Sequence, residues 1–230
     1  MDFADAPYLP AAALAPGALW LSWAWLLGAA VLWFGRGSAA RLRWPAAWLV
    51  MLWTLLAGFW QPLYSPAYWL GLAFQGPSVT SALLCLGYLV QQGCWPQPER
   101  STLAARGDTP AERGLNAWHG LDVAGVLLGW LLLLDLLACW PQAIYAWGFS
   151  PAALAGLGAL TVLLWLVWGD RQSARQVSAL LAAVLLWYAA SRLPSGNLWD
   201  AVLDPLLWLA LNLIMLRRWL RGKKPGRSGG

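Results

Sequence analysis

Residues 117–140 read AWHGLDVAGVLLGWLLLLDLLACW, and this stretch decides the fold that the sequence predicts. It is long enough to cross a bilayer as a helix, which takes about 20 apolar residues. It also contains His119, the single histidine of the chain, and the carboxylates Asp122 and Asp135. A charge at the centre of a bilayer costs at least about 2.5 kcal/mol, so intramembrane acids are candidates for function.

The composition of the whole chain is that of a membrane protein. Of its 230 residues, 60% are hydrophobic and only 11% are charged, against about 25% charged in a soluble domain. The chain is tryptophan-rich, with 20 tryptophans, and tryptophan favours the membrane–water interface. The net charge of +5 does not indicate nucleic-acid binding, because the basic residues lie in short connections between apolar segments and form no basic face.

We predict an all-α, polytopic bundle of about seven transmembrane helices. The predicted spans cover residues of about 12–34, 45–61, 67–91, 117–140, 151–168, 177–192 and 198–216. They form a single membrane domain over residues 1–216. A polar loop over 92–116 joins the third and fourth spans, and residues 217–230 form a basic tail whose end we expect to be disordered.

The distribution of basic residues predicts the orientation. Arg192 falls on one side of this threading and the other 14 of the 15 Lys and Arg residues fall on the opposite side. The positive-inside rule therefore predicts an exoplasmic N-terminus and a cytoplasmic C-terminus. The start, MDFADAPYLP, lacks the basic region of a signal peptide, so we expect the first span to be retained. The composition favours a bacterial inner membrane.

The third span contains a helix-breaking sequence. Residues 74–81 read FQGPSVTS, and Pro77 removes one helical hydrogen bond and clashes with the carbonyl four residues back. We expect a kink or a break near mid-span. Transporters build substrate sites at such interruptions, but they usually carry a matching one in the other half of the chain. The sequence of spans five to seven shows no match to spans one to three, which favours a simple proline kink.

His119 and Asp122 are three residues apart and share one face of the fourth span. Such a pair can relay protons or bind a cation, or it can be a polar pair at the membrane boundary that bonds to a neighbouring helix. A single histidine excludes a bis-His haem and a His-rich zinc site within this chain. The sequence also lacks nucleophile-elbow, phosphate-loop and HExxH motifs. We therefore predict no metal and no cofactor.

Polar residues also gather on the exoplasmic side of the last two spans. Asp204 precedes Pro205, an arrangement in which the carboxylate caps the start of a helix. Arg192 can pair with Asp200 or Asp204 across the short turn. Capping and an ion pair at the rim are the favoured interpretation, and a small site for a polar ligand is the alternative. The residues of this predicted exoplasmic cluster are Arg192, Asn197, Asp200 and Asp204.

Three functions remain open at this point. The absence of catalytic motifs favours a non-catalytic accessory, assembly or scaffold subunit, whose partners are the lipid bilayer and other membrane subunits and not nucleic acid. The second is a small transporter or channel with a polar path through spans three and four, formed by Gln75, Ser78, Thr80, Asp122 and Asp135. The third is an intramembrane lipid-modifying enzyme that uses His119 and Asp122 as acid and base.

Overall fold

The computed structural model describes residues 13–35, 40–94, 110–139, 141, 143–169 and 171–222, and for residues 110–121 it describes the backbone alone. The described ranges form helices and contain no strand, which confirms the predicted all-α class. The helices are α1 (Ala15–Phe34), α2 (Ala40–Trp60), α3 (Pro66–Phe74), α4 (Val79–Cys94), α5 (Pro110–Leu136), α6 (Ile144–Trp147), α7 (Pro151–Trp168), α8 (Gln172–Ser191), α9 (Leu198–Val202) and α10 (Pro205–Gly222). A single 3₁₀ turn, Pro62–Tyr64, joins α2 to α3.

Four helices within the described ranges are long and apolar enough to cross a membrane, which indicates a membrane protein. They are Ala15–Phe34, Leu42–Trp60, Pro151–Trp168 and Ala174–Ser191. A fifth apolar stretch, Val79–Gln92, is shorter. The total of seven spans and the orientation of the termini stay predictions.

Helix starts follow the positions of proline and serine. Proline lies in the first turn of α1, α3 and α7, where its missing N–H leaves no intrahelical bond unmade. Ser150 caps α7, because its Oγ accepts from the N–H of Ala153 at 3.2 Å. The predicted start of the second span at Pro45 is wrong, since α2 begins at Ala40 and contains this proline. Pro45 lies in the second turn of α2, where it removes one backbone hydrogen bond of the helix.

The third segment is broken. Helix α3 ends at Phe74 and α4 begins at Val79, so the stretch predicted as one span over 67–91 forms two helices. Between them Gln75 has φ 61° and ψ −157°, a region of backbone space that is almost restricted to glycine. Pro77 prevents the helix from continuing. The sequence pattern therefore produces a full break at this point.

The last segment is also broken, and here the prediction of one helix over 198–216 is wrong. Helix α9 ends at Val202, Leu203 is extended with φ −142° and ψ 125°, and α10 begins at Pro205. A residue before proline is biased away from the helical region. A second interruption, which we did not find in the sequence, thus accompanies the first.

Further boundaries differ from the prediction, among them the start of α8, which lies at Gln172 and not at about residue 177. Helix α10 continues to Gly222, so residues 217–222 of the predicted tail are helical, while 223–230 lie outside the described residues. Helix α5 begins at Pro110, inside the predicted loop of 92–116, whose residues 95–109 are likewise outside. The helical pattern thus extends beyond both predicted membrane boundaries, because polar residues of good helix propensity continue it.

Two hydrophobic clusters hold the bundle together. The first joins α1, α2 and α4 through Ala24, Ala29, Leu32, Ala47, Met51 and Leu89. The second joins α8 and α9 through Val184, Leu185, Tyr188, Leu198 and Ala201, with α4 and α7 packed against it. Helix α4 contacts both clusters, with Leu89 in the first and Val79 and Leu83 against the second. The interrupted segment therefore connects the two halves of the bundle.

Helices α5 and α10 form an antiparallel pair. The indole N–H of Trp208 on α10 donates to the carbonyl of Val126 at 3.4 Å, and the ring meets Trp130 edge-on with centroids 5.3 Å apart. Gly129 makes this approach possible, since a Cβ built there would lie 2.1 Å from Cδ1 of Trp208. The pair depends on the missing side chain at residue 129.

We expect Gly129→Val to separate α5 from α10 and to lower the free energy of unfolding by about 1–3 kcal/mol, the usual cost of overpacking. Gly158→Val is the matched control, because a Cβ at Gly158 meets nothing within 4 Å. Unfolding in mixed micelles measures both variants. Equal loss of stability in the two would show that helix propensity, and not the contact with Trp208, is responsible.

Candidate functional site

Asp204 lies between α9 and α10 and its side chain is buried, with 5% exposed. Its Oδ1 accepts a hydrogen bond from the backbone N–H of Leu207 at 2.8 Å. This is the capping arrangement expected for an aspartate that precedes proline at a helix start. One oxygen of the carboxylate is thereby committed to the first turn of α10.

The second oxygen of Asp204 reaches the break in the third segment. Its Oδ2 accepts from the backbone N–H of Ser78 at 2.8 Å and from the hydroxyl of Ser81. Ser78 directly precedes α4 and is fully buried. The same carboxylate therefore caps the N-termini of two helices that are 126 residues apart in sequence. We call Asp204, Ser78, Ser81 and Leu207 the Asp204 junction.

Hydroxyl groups complete the hydrogen bonding around the Asp204 junction. The Oγ of Ser78 accepts from the N–H of Ser81 at 3.1 Å and donates to its hydroxyl at 3.0 Å. Thr80 donates to the carbonyl of Ala201 in α9 at 3.3 Å. The first N–H groups of a helix have no intrahelical acceptor. At this break, side chains supply acceptors for the N–H groups of Ser78 and Ser81.

The electrostatics of the Asp204 junction favour a negative charge. The backbone dipoles of α4 and α10 each place about half a positive elementary charge at the helix N-terminus. Both N-termini face the Asp204 carboxylate, and each stabilises an anion by about 0.3–2 kcal/mol, more where water is excluded. Asp204 thus binds two helix ends at one buried position.

A second polar network ties the loop before α7 to the loop before α9. Asp200 accepts from the hydroxyl of Tyr145 at 2.7 Å and from the hydroxyl of Ser195. The carboxylate of Asp135 accepts from the backbone N–H of Tyr145 at 2.7 Å. The side-chain amide of Asn197 donates to the backbone carbonyl of Tyr145 at 2.9 Å. Burial and then Asp200 raise the pKa of Tyr145. The hydroxyl therefore stays protonated and donates to the carboxylate.

The predicted exoplasmic cluster is thus divided among three sets of contacts. Asn197 and Asp200 belong to the network around Tyr145, and Asp204 belongs to the junction with α4. Arg192 ends α8 with φ 55°, its guanidinium donates to the hydroxyl of Tyr188 at 3.3 Å, and its Cζ lies 5.1 Å from that ring. Structural contacts engage all four residues.

The two aspartates of α5, which we predicted to be intramembrane acids, are also engaged. Asp122 forms an ion pair with Arg218 of α10, with 13% of its side chain exposed. His119 lies on the same helix, but its side chain is outside the described residues, so its pairing with Asp122 stays a prediction. Asp135 lies thirteen residues after Asp122 in the same helix, a rise of about 20 Å along the helix axis. It accepts a hydrogen bond from the backbone N–H of Tyr145.

The predicted polar path is not assembled as one line of contacts. Ser78 and Thr80 bond at the junction between α4 and α9. Gln75 has an exposed side chain, and its carbonyl accepts from the indole of Trp23 at 3.2 Å. Asp122 and Asp135 have the separate partners given above. Among the described residues no group of three or more His, Cys, Asp or Glu side chains is placed to hold a metal ion.

No protein-family model, curated protein sequence or solved structure matches the chain. Function is therefore inferred from the contacts of the described residues alone. Among these contacts, sequence reasoning missed the Asp204 junction and the ion pair between Asp122 and Arg218. The local signal identified Asp204 as a cap of the helix after Pro205, and nothing in the sequence near residue 204 indicates a second bond to residue 78.

We expect Asp204→Ala to lower the free energy of unfolding by about 2–4 kcal/mol, since it removes two helix caps worth about 1–2 kcal/mol each. Asp204→Asn retains one amide oxygen as an acceptor and should cost about half as much. Asp200→Ala serves as the control, because this carboxylate is less buried and binds two hydroxyls. Equal destabilisation by Asp200→Ala and Asp204→Ala would contradict a special role for the junction.

Proposed function

We propose that the chain is a non-catalytic accessory or scaffold subunit of a larger complex in a bacterial inner membrane. It crosses the membrane about seven times, with the third and seventh crossings interrupted, an exoplasmic N-terminus and a cytoplasmic C-terminus. The asymmetry of Lys and Arg supports this orientation. The engagement of Asp122, Asp135 and Asp204 in structural contacts supports a non-catalytic role.

The observation that carries this proposal is the outward face of α7. Only 6% of the residues in its membrane window are buried, against 28% for α1 and α8, and Thr161 is its one buried residue. On its exposed side, small residues recur at helical spacing, which places them along one face. They are Ala152, Ala155, Gly156 and Ala159.

This face fits another transmembrane helix better than it fits lipid. A Cβ built at Gly156 or Gly158 meets nothing within 4 Å, so none of the helices described here packs into this gap. Apolar surface gives no hydrophobic drive for association inside a bilayer, and helices there associate where small residues allow close backbone contact. A spanning helix of another subunit is therefore the partner that α7 is shaped to receive.

We expect Gly156→Leu to remove the partner chain while the protein itself stays folded, because leucine favours helix over glycine by about 0.8 kcal/mol. Gly87→Leu is the matched control, since Gly87 is also helical with open space around it. The measurement is native mass spectrometry after extraction from native membranes into nanodiscs. A partner retained equally by both variants, or a wild-type protein that is always alone, contradicts the proposal.

A transporter is the second candidate, favoured by the meeting of two interrupted helices at Asp204. Such half-helix ends surround substrate and ion sites in transporters. This candidate predicts that Thr80→Val reduces cation flux in proteoliposomes by at least about tenfold. Thr161→Val is the matched control, because its hydroxyl bonds within α7 at 2.8 Å. No cation flux through the wild-type protein would exclude the transporter.

No observation on the described residues favours the third candidate, the lipid-modifying enzyme.

A further inference from the structure

A cavity of about 450 Å³ lies beside the break in the third segment. Its walls come from the first half of α1, from the residues between α3 and α4 with the first turns of α4, and from the end of α8 with the residues after it. The lining is almost entirely apolar, and no charged side chain contributes to it among the described residues. Walls of this kind are typical of sites for apolar ligands.

The backbone on two sides of this cavity is held in unfavourable conformations. Gln75, with φ 61°, directly precedes the lining residues Gly76 and Pro77, and Arg192, with φ 55°, directly precedes Leu193 and Pro194. The two walls meet, since a Cβ built at Gly76 would lie 3.5 Å from Cβ of Pro194. Non-glycine residues in the left-handed region cluster at ligand sites, where the surrounding structure fixes them.

We propose that this cavity binds the acyl chain of a membrane phospholipid. An α-helix with its side chains is about 10–12 Å wide, so this volume would hold less than about one turn of a partner helix. Carbon atoms pack about 4 Å apart, and a single alkyl chain that spans one leaflet of about 15 Å fits easily within it. The uncharged lining disfavours polar ligands, because their desolvation would find no compensating contact.

The position of the cavity gives a bilayer lipid access to it. Trp187 lines the cavity and is 48% exposed, and it lies on Ala174–Ser191, one of the four helices long and apolar enough to cross a membrane. Pro16 and Pro62, also in the lining, are exposed as well. A lipid chain therefore enters from the side of the bundle.

Charge complementarity favours a phospholipid over a neutral lipid. Arg192 is the cationic residue that directly precedes the lining residues Leu193 and Pro194. A guanidinium binds phosphate oxygens well, and that of Arg192 also donates to the hydroxyl of Tyr188 at 3.3 Å and lies over its ring. The proposal places the phosphate of the bound lipid beside residue 192, at the end of α8.

The test uses nanodiscs that contain phosphatidylcholine with a photoreactive diazirine in one acyl chain, and it maps the labelled peptides by mass spectrometry. We expect labelling concentrated on residues 15–25 and 76–83. Ala18→Phe fills the cavity and should reduce this labelling by at least about tenfold. Ala183→Phe, on the exposed face of α8 outside the lining, should leave it unchanged.

The role of Arg192 is tested by a matched pair of variants. Arg192→Gln should weaken labelling by about threefold to tenfold, and Arg192→Lys, which keeps the charge, should retain most of it. Ala18→Leu is a smaller filling variant, and labelling is compared only on protein that elutes as a single species. Labelling spread evenly over exposed helices, or unchanged in Ala18→Phe and Ala18→Leu, overturns the proposal. Labelling at this site that is indifferent to Arg192→Gln overturns the proposed contact between Arg192 and the lipid phosphate.

Discussion

The architecture depends on one buried carboxylate that satisfies the starts of two helices. Each helix begins with N–H groups that have no intrahelical partner, and in hydrocarbon every such group left unbonded costs several kcal/mol. Helices α4 and α10 both begin within the bundle, at Ser78 and Asp204. The two oxygens of Asp204 divide between them. Neither break is favourable without the other, because the start of α4 would lose its carboxylate acceptor and Asp204 would lose two of its three donors.

Local patterns predicted each half of this arrangement but not their meeting. Pro77 with its glycine and serine neighbours indicated an interruption, and Asp204 before Pro205 indicated a cap, since both rules act over a few residues. The bond between residues 78 and 204 joins positions 126 apart. A capping aspartate has spare acceptor capacity that local sequence leaves unassigned, so tertiary packing decides where the second oxygen binds.

Helix α5 gives a second example of a long-range contact that local sequence does not predict, the ion pair between Asp122 and Arg218. The sequence paired Asp122 with His119 because residues three apart on a helix are the neighbours that a pattern can reveal. Arg218 was assigned to a tail beyond the membrane. Helix α10 continues past it to Gly222, and the antiparallel packing at Gly129 and Trp208 then brings Arg218 beside Asp122. Charged residues lie within both α5 and α10, and neither is among the four described helices that are long and apolar enough to cross a membrane.

The internal polar contacts stabilise the fold, whereas the proposed recognition sites lie on apolar surfaces. Asp122, Asp135 and Asp204, which the sequence offered as candidate functional residues, are bonded within the bundle. Removing one of these carboxylates therefore lowers the stability of the fold. The two surfaces that we propose for recognition are apolar: the small-residue face of α7 and the cavity beside Gly76. Inside a membrane such surfaces discriminate by shape, because the surrounding lipid is equally apolar. Under both proposals, specificity arises at glycine and alanine positions, where a small side chain leaves room for a partner helix or a lipid chain.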